Sequence, residues 1–360
     1  AERGSTVLGA SRPLKRHVRM GKAVLGLAMA LVLLRSYIGL SPWKLALLLL
    51  GLFVLNLLQS APSESEAFSP VFRGDDAAGL KWGVASVQGR RQHMEDMYQA
   101  EGFGGAAAPG AHSAGRDADA ARLGLTHFFA VFDGHGGKRA AAWAREHLLA
   151  NLLPRGQDVP AGQDAAEALE EPVREAFLQT DRDFLRHAAL RGMPDGSTAV
   201  SCLLQPPRTP GGARRLLVAN LGDSRCALVR ADGSAVALSV DHKPNRPDER
   251  ERVVAAGGHV IFAGCWRVQG DLAVSRAFGD SHLKSFGVSA EPELSRVDLA
   301  EGDTQLILAS DGLWDVVDEA QCGSLLRHRP EPLDAARALC EMASQRGSMD
   351  NITVLVVNLA

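Results

Sequence analysis

The sequence is poor in cysteine chemistry. Its five cysteines, Cys202, Cys226, Cys265, Cys322 and Cys340, are odd in number and far apart. No Cys-x-x-Cys pair and no Cys/His cluster occurs, which excludes the usual zinc sites and a disulfide framework. The thiols read as buried and free in a reducing compartment. None follows a His and opens a phosphate-binding loop, so a cysteine nucleophile acting on phosphate is excluded too. An excess of basic charge is also missing: 39 Lys/Arg face 42 Asp/Glu, for a net charge of −3. Residues 1–80 hold 9 of the basic and 5 of the acidic side chains, leaving 30 and 37 for residues 81–360. An acidic body argues against nucleic acid as the main partner. There is no internal repeat.

What is present is a globular composition, 46% hydrophobic and 22% charged over 360 residues, enough for one large domain or two ordinary ones. The basic segment 1–22 carries Arg12, Lys15, Arg16, Arg19 and Lys22 and leads into two apolar runs, 23–34 and 45–58. As helices they would be about 18 and 21 Å long, short of the ~30 Å hydrocarbon core unless flanking residues are drawn in. Four readings stay open: a cleaved signal peptide, a single span, two short spans or a hairpin turning near Ser41-Pro42, and a buried soluble helix. The paired spans return the body to the cytosol, in keeping with the positive-inside tendency and the free cysteines. Residues 23–58 are therefore expected to be a membrane anchor, and the polar, Pro-containing residues 59–80 a linker. A catalytic domain is expected over 81–360.

Within that body, 82–87, 128–132, 198–204, 215–221, 304–308 and 352–357 read as strands, and 226–238 as a hairpin turning at Asp232-Gly233. Residues 138–153, 165–190, 247–256, 315–328 and 333–346 read as helices, and the Gly- and Ala-rich stretch 101–125 as an enlarged loop. Strands joined by short turns, with helices in blocks, predict an α+β fold with antiparallel sheets.

Acids recur where these strands end. Asp133 follows Ala130-Val131-Phe132 and precedes Gly134-His135. Asp223 follows 218–222, Asp311 follows 306–310, Asp350 precedes 352–354, and Glu95-Asp96 stand at the start of an early strand. Singly, each Asp-Gly is a turn, each acid a solvated charge, and His135 or Arg91 a surface residue. As a set, carboxylates without cysteines or paired histidines suit hard cations such as Mg²⁺ or Mn²⁺.

The set in its order resembles the metal-dependent Ser/Thr protein phosphatases of type 2C, the PPM family. The motifs are Gly-Arg-Arg-Gln-His-Met-Glu-Asp (89–96), Val-Phe-Asp-Gly-His-Gly-Gly (131–137), Gly-Ser-Thr-Ala (196–199) and Asn-Leu-Gly-Asp-Ser-Arg (220–225). They continue with Asp-His-Lys-Pro (241–244), Ser-Arg-Ala-Phe-Gly-Asp (275–280), Ala-Ser-Asp-Gly-Leu-Trp-Asp (309–315) and Asp-Asn-Ile-Thr-Val (350–354). The resemblance covers about residues 81–358. The hydrophobic start, with Gly89-Arg90-Arg91 and Trp266-Arg267-Val268-Gln269-Gly270, is most similar to the membrane-anchored branch of the family.

That resemblance implies two packed antiparallel sheets flanked by helices, with a binuclear Mg²⁺/Mn²⁺ site at one end. It implies that Asp133 bridges two ions, that the Gly134 carbonyl ligates one, and that Asp311 and Asp350 complete the other's shell. Glu95 and Asp96 would act through waters, and Asp223, with Asp311, would hold a weaker third ion. Arg91 would bind the substrate phosphate, His135 would protonate the leaving oxygen, and a metal-activated water would attack phosphorus without a covalent phosphoenzyme. Phosphorylated proteins would be the substrates and the catalytic domain a monomer. A scaffold that kept the fold without catalysis, and a hydrolase of another phosphoester, are the competing readings. Every position matched to a catalytic motif carries the expected residue type, which disfavours the scaffold.

Overall fold

The computed structural model describes residues 69–75, 80–103, 113–159, 168–207, 209 and 211–359. The described residues belong to one compact unit, Phe68–Ala360. The expected basic segment and membrane anchor lie outside the described residues. Among the described residues, no helix is long and apolar enough to cross a membrane.

In chain order the strands and helices are β1 (Ser69–Asp75), β2 (Lys81–Val87), β3 (Met97–Gly102), α1 (Ser113–Arg122), β4 (His127–Phe132), β5 (Gly134–His135), α2 (Arg139–Leu152) and α3 (Glu170–Ala189). There follow β6 (Gly196–Ser197), β7 (Ala199–Gln205), β8 (Arg215–Leu221), β9 (Arg225–Arg230), β10 (Ala235–Ala237), α4 (Pro247–Ala255), β11 (Val260–Ala263) and β12 (Cys265–Val268). The chain closes with β13 (Phe278–Gly279), β14 (Glu293–Asp298), β15 (Asp303–Ala309), the one-turn α5 (Asp311–Trp314), α6 (Glu319–Leu326), α7 (Pro332–Gln345) and β16 (Ile352–Asn358).

Two antiparallel sheets form the body, one ordered β1-β2-β16-β15-β9-β10 and the other β14-β8-β7-β4-β3. Their pairing follows from side-chain alternation along each strand. On β4, Phe129 and Val131 enter the core shared with Val84, Val218, Leu308 and Leu355 of the neighbouring strands. Phe128, Ala130 and Phe132 point the other way, onto Leu148 and Leu149 of α2 and Phe177 of α3. On β16, Leu355 and Val357 join the inter-sheet core, while Ile352, Val354 and Val356 meet Leu339 and Cys340 of α7. Both faces of the central strands are buried, so they read as continuous apolar runs. Each fully buried Phe contributes about 1.5–3 kcal/mol relative to exposure. The layers are helix, sheet, sheet, helix.

Three local expectations change. Residues 69–75, read as part of a linker, are β1, which pairs with Lys81–Val87; an edge strand tolerates Pro70. The loop expected over 101–125 contains α1. The helix expected from 315 begins at Glu319, because the Asp318 side chain accepts from the Gln321 amide while Gln321 reaches back to the Asp318 amide, a reciprocal cap that fixes the start. Of the five free cysteines, four are buried as expected, but Cys265 is exposed on β12. Cys202 and Cys226 face each other between the sheets with their Sγ atoms 3.3 Å apart.

Candidate active site

The rigid strands deliver the acids. Asp133 leaves the end of β4 and Asp96 precedes β3, both on the five-stranded sheet, and Asp223 follows β8 of that same sheet. Asp311 follows β15 and Asp350 precedes β16, both on the six-stranded sheet. These ends meet at one edge of the sandwich around a cleft of about 490 Å³, lined by Arg91, Glu95, Asp133, Gly134, His135, Asp223, Asp311 and Asp350 among others. Nine positions were expected in a site; eight of them line the cleft, and Asp96 stands buried behind it.

Close approach explains Gly134. A Cβ there would stand 2.7 Å from the Glu95 carbonyl oxygen, so a side chain would push the two acid-bearing loops apart. Asn351 fastens the third loop. Its Oδ1 accepts from the Glu95 amide at 2.8 Å, and its Nδ2 donates to the Gln88 and His93 carbonyls.

Gathering acids in a partly dry cleft costs energy, and their protonation reports it. Burial pushes the Asp133 carboxyl well above the ordinary carboxylate range, and the charges of Asp96, Asp311, Asp223 and Asp350 push it further. Asp311 is raised by burial and then by Asp223, Asp315 and Asp350. Burial lifts Asp96 to about 6, against hydrogen bonds from Thr353 and Ser310 that favour its charged form; the Ser310 hydroxyl donates to its Oδ2 at 2.9 Å.

A sequence profile described as protein phosphatase 2C matches residues 81–352. The chain belongs to the protein phosphatase 2C family. It is 40% identical to "Probable protein phosphatase 2C 59" of Arabidopsis thaliana over 85% of this chain and 88% of that one. It is 42% identical to "Probable protein phosphatase 2C 52" of Oryza sativa subsp. japonica over 77% of this chain, but spans only 50% of that relative's length. Among solved structures, a serine-threonine phosphatase 2C from Toxoplasma gondii matches with a TM-score of 0.64 and 26% identity, over 80% of this chain and 99% of that one. The family consists of serine/threonine protein phosphatases that act on phosphorylated proteins, and its members generally depend on Mg²⁺ or Mn²⁺.

The phosphatase 2C cleft of this chain has the donors for such ions. The groups expected to ligate them are oxygens alone, as hard divalent cations require. The Asp96 Oδ1 is buried and lacks a hydrogen-bond partner, and the mutual repulsion at Asp133 and Asp311 calls for a positive charge between them. Among the described residues no three His, Cys, Asp or Glu side chains stand ready as a closed cage. Two side-chain cations explain part of this. The Arg91 guanidinium pairs with Asp350, and the Lys243 ammonium pairs with Asp223 at 2.6 Å.

His135 is held by Asp280, its Nε2 lying 2.7 Å from Asp280 Oδ2. Burial opposes its charging, but the bond and charge of Asp280, with the charges of Asp223 and Glu95, outweigh burial and raise it above the usual imidazole range. Reading the sequence missed four contributors at this phosphatase site: Asp280, Lys243, Asp315 and Asn351. All four lie inside quoted motifs, at 275–280, 241–244, 309–315 and 350–354. Motif membership was the available signal; Asp315 acts on Asp311 within one motif, whereas the partners of Lys243, Asp280 and Asn351 lie in other segments.

Proposed function

We propose that this chain is a Mg²⁺- or Mn²⁺-dependent phosphatase of phosphoserine and phosphothreonine in proteins, most like the membrane-anchored 1-like member of its family. The observation that carries the reading is the convergence of four strand-end aspartates from both sheets, with Asp96 buried behind them, on one cleft that also holds Arg91 and His135.

Asp133, the Gly134 carbonyl, Asp311 and Asp350 would hold two ions, with Glu95 and Asp96 acting through waters and Asp223 serving a weaker third position. When bound, the ions supply an activated water nucleophile and neutralise charge on the phosphoryl oxygens. The chain's own residues do the rest. Arg91, on a largely exposed side chain, offers a planar fork suited to two phosphate oxygens. A departing serine or threonine alkoxide is a poor leaving group, so a proton from His135 favours its loss. Displacement by water leaves no covalent enzyme intermediate.

Turnover of a phosphothreonine peptide by the full chain, with Mn²⁺ and with excess EDTA, tests the reading. Hydrolysis with Mn²⁺ and none in EDTA is expected, whereas full activity in EDTA refutes it. Comparison with small phosphoesters separates a protein phosphatase from a hydrolase of another phosphoester.

The two apolar runs and the basic start support a membrane anchor at 23–58, joined by a linker to a monomeric catalytic unit that faces the cytosol. Protease treatment of sealed microsomes tests this arrangement. Digestion of the catalytic unit is expected, and its full protection contradicts a cytosolic orientation.

A further inference from the structure

Asp280 stands in a backbone conformation that few side chains adopt. Its φ is +48° and ψ +47°, and Gln269 is the only other non-glycine residue with positive φ among the described residues. Such conformations persist where the surroundings impose them, and they gather at functional sites. The surroundings here are specific. A small three-stranded sheet ordered β13-β6-β5 sets Gly279 beside Gly196 and Gly196 beside His135. The Asp280 amide donates to the Asp195 carbonyl at 3.2 Å, and the Gly279 amide donates to Asp181 Oδ1 at 2.8 Å. Asp181 is paired in turn with Lys284 at 2.9 Å.

Gly196 is the gap through which Asp280 reaches His135. A Cβ at 196 would lie 2.1 Å from Asp280 Oδ2 and 2.2 Å from His135 Nε2. The Asp280 side chain is 4% exposed and that of His135 30%, so a buried carboxylate holds a ring that fronts the cleft. With Nε2 engaged by Asp280, Nδ1 has no protein partner among the described residues and is the nitrogen left for the cleft.

We infer that Asp280 is the positioning residue of the phosphatase's proton donor. It takes the Nε2–H of His135 and turns Nδ1 toward the oxygen that leaves phosphorus. The inference rests on the proposed role of His135 as general acid. In the step, a new bond forms between phosphorus and water oxygen while the bond from phosphorus to the serine or threonine oxygen breaks. The leaving oxygen takes the Nδ1 proton of the imidazolium, leaving neutral imidazole with its proton on Nε2, and the proton lost by the water restores the imidazolium through solvent. The products are the free alcohol and inorganic phosphate.

The test exploits the leaving group. A threonine alkoxide needs a proton to depart, whereas p-nitrophenolate does not. In the Mn²⁺-loaded full chain, Asp280→Asn is expected to lower kcat on a phosphothreonine peptide by about 10- to 100-fold. Its kcat on p-nitrophenyl phosphate should fall less than about 3-fold, with KM for both substrates unchanged. Gly196→Ala, which thrusts a methyl between the two side chains, is expected to give the same selective loss. Equal losses on the two substrates, or none on the peptide, overturn the inference. His135→Ala separates the layers: if its losses do not depend on the leaving group, the general-acid reading itself fails. A readout free of substitution is ¹⁵N-histidine NMR of the folded wild type, where neutral His135 should carry its proton on Nε2. The Nδ1–H form would overturn the inference even if both variants failed to fold.

Discussion

Removing one charge from the cleft should stabilise the metal-free protein. Asp96 is the cleanest place to ask, because it is 5% exposed and its carboxyl is raised from 3.8 to about 6, chiefly by burial. The folded form therefore holds this proton to higher pH than the unfolded chain does. Its contribution is favourable below about pH 4, is lost as pH rises from 3.8 through about 6, and stays lost above. The displacement corresponds to about 3 kcal/mol at neutral pH. In Asp96→Asn the penalty disappears, while the bond from Ser310 becomes neutral and about 1 kcal/mol weaker. The net gain is about 2 kcal/mol, or a rise of roughly 4–8 °C in Tm for a unit of this size. Thermal unfolding in EDTA at pH 5 and pH 7.5 reads it directly. The variant should melt higher at pH 7.5 and show a shallower pH dependence, with Asp133 and Asp311 supplying the residual slope. Saturating Mn²⁺ should erase or invert the ranking, since ligand binding stabilises only the form that keeps the site. A variant no more stable than wild type in EDTA at pH 7.5, or one with the same pH slope, would refute the account of the cleft as a repulsive acid cluster.

Three further outcomes are expected. Asp133→Asn should lose at least about 100-fold in Mn²⁺-dependent turnover while keeping its circular dichroism, because it removes the acid on which the other four converge. Arg91→Ala should reduce kcat/KM on a phosphopeptide by about 10- to 100-fold, the worth of a charged hydrogen-bonding pair, and steady-state kinetics measure it. Phe129→Ala opens the core between the sheets, where Phe129 is 1% exposed; urea unfolding should report a loss of about 3–5 kcal/mol.

The sequence made the sandwich and the acids readable for one physical reason. Strands buried on both faces are unbroken apolar runs, and an acid placed directly after such a run, as Asp133 and Asp311 are, is carried to the sheet edge by rigid backbone. Edges and insertions were harder. Ser69–Asp75 looked like a linker because the stretch is polar and contains Pro, yet Pro disrupts only strands that need hydrogen bonds on both sides, and β1 is an edge strand. Ser113–Arg122 was hidden in a stretch of small residues interrupted by the charged Arg116, Asp117 and Asp119. Least legible were partners separated by the fold. Nothing in the spacing of His135 and Asp280 announces their contact, which depends on Gly196 leaving space between them. The counter-charges of Lys243 on Asp223 and Arg91 on Asp350 likewise join segments that no periodicity relates.

The pairing of Arg91 with Asp350 gives the cleft a thermodynamic consequence. One side chain expected to greet phosphate is occupied by one of the acids expected to greet a cation. A cation that engaged Asp350 would release the guanidinium and so make a phosphate easier to bind. Coupling between two ligands is reciprocal, so a bound phosphate must tighten the cation to the same degree. Product phosphate and divalent ion would then retain one another in the cleft through the strength of a single ion pair.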